Sequence, residues 1–313
     1  MVDFIQRIDD PEIPPPYNFP GITIMSFQLP AKLAQLQVLC DQLLNIGSLA
    51  DRGFEYRAFT NFVDMEIVTY PKMMFGQLPY SQWGYATQQE LYFRFYVWRF
   101  NLFGGLLFPD LFPQLCFPFI YVDNSWSMVS GRNVIGYPKV MAQFDPTPML
   151  GANPLQITAS ALALDIHSPN TKLQMQPIVQ INPSQAAPVV PNGIWPWVGL
   201  TAQAGILDPN LQQQLQTFLA ADPNLYSTVQ LKQFRDLPGG ACFQAVVETP
   251  FTPTNVGVPQ PLPPVSITVN SYASLDIPGS LGFPAGVALQ PAQQYSISLD
   301  MSMQNGSDLF VNS

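Results

Sequence analysis

Lys139 is the residue of this chain whose surroundings most clearly favour chemistry. It is one of five lysines, and its neighbours Tyr137, Pro138, Val140 and Met141 carry no charge. No carboxylate lies within five residues of it on either side. An apolar surround disfavours the ammonium form of a lysine, and the neutral amine can attack a carbonyl to form a Schiff base. Lys139 is therefore either such a nucleophile or a surface lysine whose stem lies along apolar neighbours.

The composition of the 313-residue chain argues against several other kinds of site. Only 11% of the residues are charged, against about 25% in an average soluble protein. With one histidine and three cysteines we expect no metal site, and a Ser-His-Asp triad would have to use His167. A net charge of −9 with 12 basic residues argues against a nucleic-acid partner. The cysteines, Cys40, Cys116 and Cys242, have no CxxC spacing and fit a reduced compartment.

Most of the elements that must position Lys139 have the alternating pattern of half-buried strands. The alternation is unbroken in Tyr295–Met303 and in Val265–Val269. Further strands are predicted at Thr23–Phe27, Phe62–Thr69, Leu91–Trp98, Phe117–Val122, Leu173–Ile181, Val229–Phe234 and Cys242–Val247. Two proline-rich segments, Pro183–Trp197 and Thr249–Pro264, are predicted to be loops.

Two helices are predicted among these strands. Pro30–Asn45 places five leucines on one face. In the second helix, Asp208 supplies an N-cap and Pro209 occupies the first helical position. Many strands with few helices predict an α+β fold that is predominantly antiparallel β, arranged as a barrel or as stacked sheets.

The chain is expected to have one domain, residues 21–313, preceded by an N-terminal extension of residues 1–20. The extension lacks the basic start and apolar stretch of a signal peptide. The most apolar region, Leu91–Val122, is interrupted by charged residues and prolines, which argues against a membrane span. We therefore expect a cytoplasmic protein without a membrane partner.

One stretch of the chain has the motif of a known family. Gly131–Lys139 has the sequence Gly-Arg-x-x-x-Gly-Tyr-Pro-Lys, and it follows a strand that ends in Tyr121-Val122-Asp123-Asn124. Together these segments resemble the acetoacetate decarboxylase superfamily. The resemblance implies that family's antiparallel β-rich fold, a Schiff base at Lys139 and no cofactor. It also implies a homo-oligomer, because family members form them.

The resemblance assigns roles to other residues as well. Phe62–Val68 resembles the family strand that contributes a buried glutamate, here Glu66. Gln88–Tyr92 resembles the segment that holds the second active-site glutamate, here Glu90. Both are expected to be catalytic, because buried carboxyl groups are suited to proton transfer. The residues expected to bind substrate are Tyr137, Arg132 and Tyr121.

The chain departs from the family pattern at several places. The decarboxylases carry a second lysine directly after the catalytic one, where this chain has Val140. The glutamate of the family's Gly-Arg-Glu is Asn133, and the early arginine associated with the substrate carboxylate has no counterpart. Segments at Pro71–Gln82 and Phe100–Phe112 have the appearance of insertions. These departures argue against acetoacetate itself as the substrate.

The function implied by the resemblance is a cofactor-independent Schiff-base lyase acting on a small keto acid or ketone. Lys139 would form an iminium with the ketone, and the iminium would accept the electrons released when a β-carboxylate leaves as carbon dioxide. A β-keto acid decarboxylase is the leading hypothesis. Two alternatives stay open: an aldolase, dehydratase or cyclase that uses the same lysine, and a non-catalytic protein that binds a small molecule in the same fold.

Overall fold

The computed structural model describes residues 12–185, 227–237 and 239–312. The strands of the described residues are β1 Tyr17–Pro30, β2 Phe54–Ala58, β3 Phe62–Phe75, β4 Tyr85–Phe103, β5 Leu106–Pro109, β6 Gln114–Val122, β7 Lys139–Asp145, β8 Ile157–Ala163, β9 Gln174–Pro183, β10 Ser227–Arg235, β11 Ala241–Thr254, β12 Gln260–Pro261, β13 Val265–Val269, β14 Ala288–Leu289, β15 Gln293–Met303 and β16 Ser307–Val311. The α-helices are α1 Leu33–Leu43, α2 Leu49–Arg52, α3 Ser125–Ser130 and α4 Ile277–Leu281, with a 3-10 turn at Tyr80–Gln82 and a π-helical turn at Gly131–Ile135.

Within the described residues, seven strands pair in a closed ring. Their order is β6, β10, β11, β15, β1, β3, β4 and back to β6. The pairings in this ring are antiparallel except the one between β6 and β10. A second sheet continues from β6 through a parallel pairing with β7, and then through β8, β9, β13 and β14. The expectation of a predominantly antiparallel, stacked-sheet fold with few helices is confirmed.

The ring strands bury side chains on both faces, because successive residues of a strand point in opposite directions. One set of side chains faces the inside of the ring and includes Tyr17, Val68 and Tyr92. The other set packs with α1, α4 and the second sheet in a larger outer core, to which Met65 and Phe93 belong. The ring strands are therefore shared between two cores.

The predicted elements agree with most of these bounds. Each of the nine predicted strands lies within or overlaps an observed one. The loop predicted at Thr249–Pro264 is partly wrong, because β11 continues to Thr254 and gains its partner in β15. Helix α1 is shorter than predicted, since Pro30 is still part of β1 and pairs with Phe62. The helix predicted from Asp208 lies outside the described residues.

The two segments that have the appearance of insertions extend the sheets. Pro71–Gln82 holds the end of β3 and the 3-10 turn, and Phe100–Phe112 holds the hairpin of β4 and β5. The boundary predicted between residues 20 and 21 falls inside β1, whose first residue is Tyr17. In the described ranges, no helix has the length and apolar character needed to cross a membrane.

Candidate active site

Lys139 is the first residue of β7, and its side chain is buried. Its Nζ donates hydrogen bonds to Glu90 Oε2 at 2.6 Å and to Ser127 Oγ at 2.9 Å. The side chains of Lys139 and Glu90 are 9% and 6% exposed, so they form a buried ion pair. Taking a charge out of water is expensive unless a partner compensates for it, and here each residue is the partner of the other. Lys139 is thus not a surface lysine.

The two glycines of the motif allow the lysine to reach this place. A Cβ on Gly131 would lie 2.7 Å from Lys139 Cδ, so the stem of the lysine packs directly on the glycine backbone. Gly136 has a φ of +94°, a left-handed conformation that favours glycine, and a Cβ there would lie 2.7 Å from Lys232 Cβ. The motif therefore encodes the turn that delivers Lys139 to the start of β7.

The Asp-Asn pair that precedes the motif attaches α3 to β4. Asn124 caps the helix, because its Oδ1 accepts a hydrogen bond from Ser127 N at 3.1 Å. Its Nδ2 donates to Thr87 O at 3.0 Å, and Asp123 Oδ1 accepts from Gln89 N at 2.8 Å. These bonds hold Ser127, which contacts the lysine, beside the segment of β4 that carries the glutamate.

One face of β4 lines a cavity inside the ring, together with side chains from the other ring strands. The residues of β4 on this face are Gln88, Glu90, Tyr92, Arg94 and Tyr96. The cavity volume is about 170 Å³, close to the roughly 150 Å³ that accommodates a benzene molecule in a protein core. Much of the remaining wall is apolar and includes Phe19, Ile24, Phe117, Ile297 and Leu299.

A second buried ion-pair cluster lies further along the same face of β4. Arg94 Nη2 is 2.7 Å from Glu66 Oε1, and Arg94 Nε is 3.5 Å from Asp64 Oδ2. The hydroxyl of Tyr92 donates to Glu66, and that of Tyr96 donates to Asp64 at 3.3 Å. Burial raises the pKa of Asp64 to about 6, and the lowering effect of Arg94 only partly offsets it. The positive charge of Arg94 is therefore already engaged by two carboxyl groups.

Two buried tyrosines border the lysine and its glutamate. Tyr70 lines the same cavity as Glu90, and the hydroxyls of Tyr137 and Thr228 are 2.9 Å apart. Lys139 Nζ lies 5.9 Å from the centroid of the Tyr137 ring. Burial raises the pKa of both phenols well above the usual value, so both keep their protons near neutral pH.

The arrangement can carry out proton transfer and nucleophilic attack. A proton that moves from Nζ to Glu90 along their hydrogen bond leaves a neutral amine and a carboxylic acid without changing the charge of the pair. The neutral amine is the form that attacks a carbonyl carbon. Among the described residues, no three His, Cys, Asp or Glu side chains are grouped so that they could hold a metal ion.

Comparison with known proteins now identifies the family. The family model described as acetoacetate decarboxylase matches residues 9–163, a range that holds the lysine and both glutamates. The chain belongs to the acetoacetate decarboxylase superfamily. A search of curated proteins finds no match to this member of the superfamily.

Solved structures of the superfamily are similar to it over nearly their whole length. One structure of acetoacetate decarboxylase is 14% identical, with a TM-score of 0.52, and covers 96% of this chain and 92% of its own. The acetoacetate decarboxylase of Legionella pneumophila is 12% identical, with a TM-score of 0.52 and coverages of 98% and 97%. The enduracididine biosynthesis enzyme MppR, complexed with pyruvate, is 12% identical, with a TM-score of 0.51 and coverages of 95% and 91%. At such identities the likeness concerns the fold.

The structure brings four of the six expected site residues to the cavity: Lys139, Glu90, Glu66 and Tyr137. Arg132 does not reach it, because it lies exposed on the π-helical turn. Tyr121 does not reach it either. Ile120, the register partner of Lys139, lines the cavity, so the next side chain along β6 points into the outer core. The structure therefore does not bring Arg132 and Tyr121, which were expected to bind substrate, to the cavity.

The polar residues at the cavity that sequence reasoning missed include Gln88, Arg94, Ser127 and Tyr70. The period of two along β4 is a signal that could have found Gln88 and Arg94, since both share the face of Glu90. Ser127 carried no such signal, because a helix and a turn separate it from the lysine that it contacts.

The structure shows where the residues that depart from the family pattern lie. Val140 is 40% exposed and does not line the cavity. Asn133 Nδ2 donates to Glu12 Oε1 at 2.6 Å, which ties the N-terminal segment to the π-helical turn. The guanidinium group in the cavity comes from Arg94 on β4.

Proposed function

We propose that this protein is a Schiff-base lyase that decarboxylates a β-keto acid through an iminium at Lys139. The observation that carries the proposal is the buried hydrogen bond between Lys139 and Glu90 at the wall of the cavity. Membership of the acetoacetate decarboxylase superfamily supports the same kind of chemistry.

The first half of the proposed reaction forms the iminium. Glu90 takes a proton from Lys139 Nζ, and the neutral amine adds to the ketone carbon of the substrate. A proton shift gives a carbinolamine with a neutral nitrogen. The carboxylic acid of Glu90 then protonates the hydroxyl, which leaves as water. The products of this half are an iminium and the Glu90 carboxylate.

The second half breaks the carbon–carbon bond. The electron pair of the bond to the carboxylate moves toward the iminium nitrogen, which releases carbon dioxide and leaves a neutral enamine. A proton taken up from solvent is then added to the enamine carbon, and the carboxylates of Glu90 and Glu66 in the cavity can relay it. Water hydrolyses the resulting iminium, which frees the product ketone and Lys139.

The charge distribution of the cavity favours this step. Of the described residues that line it, Arg94 is the other cation besides Lys139, and it is paired with Glu66. The iminium then faces two anions, the Glu90 carboxylate and the substrate carboxylate. Loss of carbon dioxide removes the charge of the iminium together with that of the substrate, and it relieves the repulsion between the two carboxylates.

Borohydride trapping tests the proposal. The protein is incubated with a panel of β-keto acids and reduced, and the modified peptide is located by mass spectrometry while released carbon dioxide is measured. We expect an adduct at Lys139 and carbon dioxide release, both lost in Lys139→Arg. Lys232→Arg is the matched control, because Lys232 is only half-buried and its Nζ donates to Val134 O at 2.9 Å.

The outcomes separate the hypotheses. An adduct at Lys139 without carbon dioxide release would favour an aldolase, dehydratase or cyclase. No adduct with any carbonyl compound would refute the lyase and favour a non-catalytic binding protein.

A further inference from the structure

Gln88 carries an unused hydrogen-bonding group at the wall of the cavity. The residue is 4% exposed and lines the same cavity as Lys139. Its side-chain Oε1 is buried and has no hydrogen-bond partner among the described residues. Most buried polar side chains are hydrogen-bonded, because an unpaired group keeps the full cost of its desolvation. An unpaired amide at a cavity wall therefore indicates a partner that arrives with a ligand.

The neighbouring glutamine shows the ordinary arrangement. Gln89 points to the opposite face of β4, and its Oε1 accepts a hydrogen bond from Thr69 Oγ1 at 2.7 Å. The polar groups next to Gln88 in the cavity are also engaged, since Glu90 contacts Lys139 and the hydroxyl of Tyr137 contacts Thr228. The unpaired state of Gln88 is thus not a general property of this part of the strand.

The place of Gln88 fixes which part of a ligand it can reach. It is two residues before Glu90 on the same face, so the two Cα atoms are about 7 Å apart. Its register partner across the sheet is Tyr70, which lines the same cavity. A carbon bound to Lys139 lies beside Glu90, so the amide faces substituents a few bonds from that carbon.

We propose that Gln88 is a substrate-binding residue, and that the substrate carries a hydroxyl group close to its ketone. A rotation of the Gln88 amide brings Oε1 to the cavity, where it accepts a hydrogen bond from this hydroxyl while the ketone carbon is held by Lys139. This inference rests on the proposed function, because the iminium defines where the ketone lies. It narrows the substrate class to β-keto acids that carry a hydroxyl group close to the ketone.

Two ketones of equal heavy-atom number test the inference. The carbon next to the carbonyl carries a hydroxyl group in hydroxyacetone and a methyl group in 2-butanone. Borohydride trapping at Lys139 is measured with each, and the ratio of the two rates is compared between wild type and Gln88→Met. We expect this ratio to fall about tenfold in the variant, the effect of one hydrogen bond. Intrinsic reactivities cancel in the comparison.

Gln89→Met is the matched control, because it makes the same substitution one residue along on the opposite face. Its ratio should equal that of wild type. Thermal unfolding adds an independent readout: Gln88→Met should be at least as stable as wild type, because it removes an unpaired group, whereas Gln89→Met should be less stable. An unchanged ratio in Gln88→Met, or a loss of stability in that variant, overturns the inference.

Failure of the proposed function has a different signature. If no ketone is trapped, saturation-transfer NMR of the two ketones with the unreduced proteins still measures their relative binding. A preference of wild type for hydroxyacetone that Gln88→Met lacks supports the role of Gln88, and equal binding refutes it. Gln88→Leu repeats the comparison with a second apolar side chain, and it should give the same result as Gln88→Met.

Discussion

Removal of one partner of the Lys139–Glu90 pair should destabilise the fold far more than removal of both. Lys139→Met leaves the carboxylate of Glu90 buried without its cation, and Glu90→Leu leaves the ammonium without its anion. Both side chains are at least nine-tenths buried, so little solvent is available to compensate. Each single substitution should lower the free energy of unfolding by about 3–5 kcal/mol.

The double substitution replaces the pair by two apolar side chains that can pack together. Replacing a buried ion pair by hydrophobic residues of similar volume is often neutral or stabilising. The hydrogen bond to Ser127 is also lost, which should cost about 1 kcal/mol. The sum of the two single effects should therefore exceed the effect of the double substitution by about 3 kcal/mol or more.

Urea unfolding followed by tryptophan fluorescence measures all four proteins at pH 7. The midpoint and the slope are both needed, because only a change in midpoint at constant slope reports stability alone. If the stability loss of the double variant equals the sum of the two single losses, the reasoning is refuted, since Lys139 and Glu90 then do not share a buried contact.

Three further predictions concern the turn and the second ion-pair cluster. Gly131→Ala should slow borohydride trapping at Lys139 about 10- to 100-fold, because the added methyl group displaces the stem of the lysine. The backbone should be little affected, because its φ of −63° suits alanine. An unchanged trapping rate would contradict this. Arg94→Met should lower the free energy of unfolding by about 3–5 kcal/mol, because it leaves Glu66 and Asp64 without their cation; a loss below about 1 kcal/mol in urea unfolding would argue against the cluster. Folding raises the pKa of Asp64 from 3.8 to about 6, so the folded state binds the proton of this carboxyl group more tightly than the unfolded state does. The bound proton should therefore stabilise the fold by about 3 kcal/mol below pH 4, and this contribution should be lost as the pH rises through about 6. Urea titrations between these pH values should show that Asp64→Asn lacks this fall in stability, and parallel curves for the two proteins would count against it.

The fold was predictable where its information is local. The alternation in Tyr295–Met303 located the centre of β15, and the leucine spacing located α1. The length of β11 was not predictable, because Phe251 to Thr254 are held by β15, a partner more than forty residues away in the chain. Pairings of this kind leave no pattern within the segment that they extend.

The candidate site was also predictable only where its information is local. The position of Lys139 followed from its motif, because both glycines and the preceding Asp-Asn pair lie within one short segment of the chain. Arg94 did not follow from it, because its role depends on the register that places β4 opposite Asp64 on β3. Tyr121 does not face the cavity, because it follows the cavity-lining Ile120 and successive side chains of a strand point to opposite faces. A motif that names neighbours along a strand does not say which face each of them occupies.

The alternation along β4 also has a consequence for protein engineering. Leu91, Phe93 and Phe95 belong to the outer core, whereas the residues between them face the cavity. A mutant library confined to the cavity-facing positions other than Glu90 and Arg94 would vary the substrate range and leave the outer framework intact. Insertion of one residue would exchange the two roles along the rest of the strand, so length changes in β4 are tolerable only in pairs or where a bulge absorbs them.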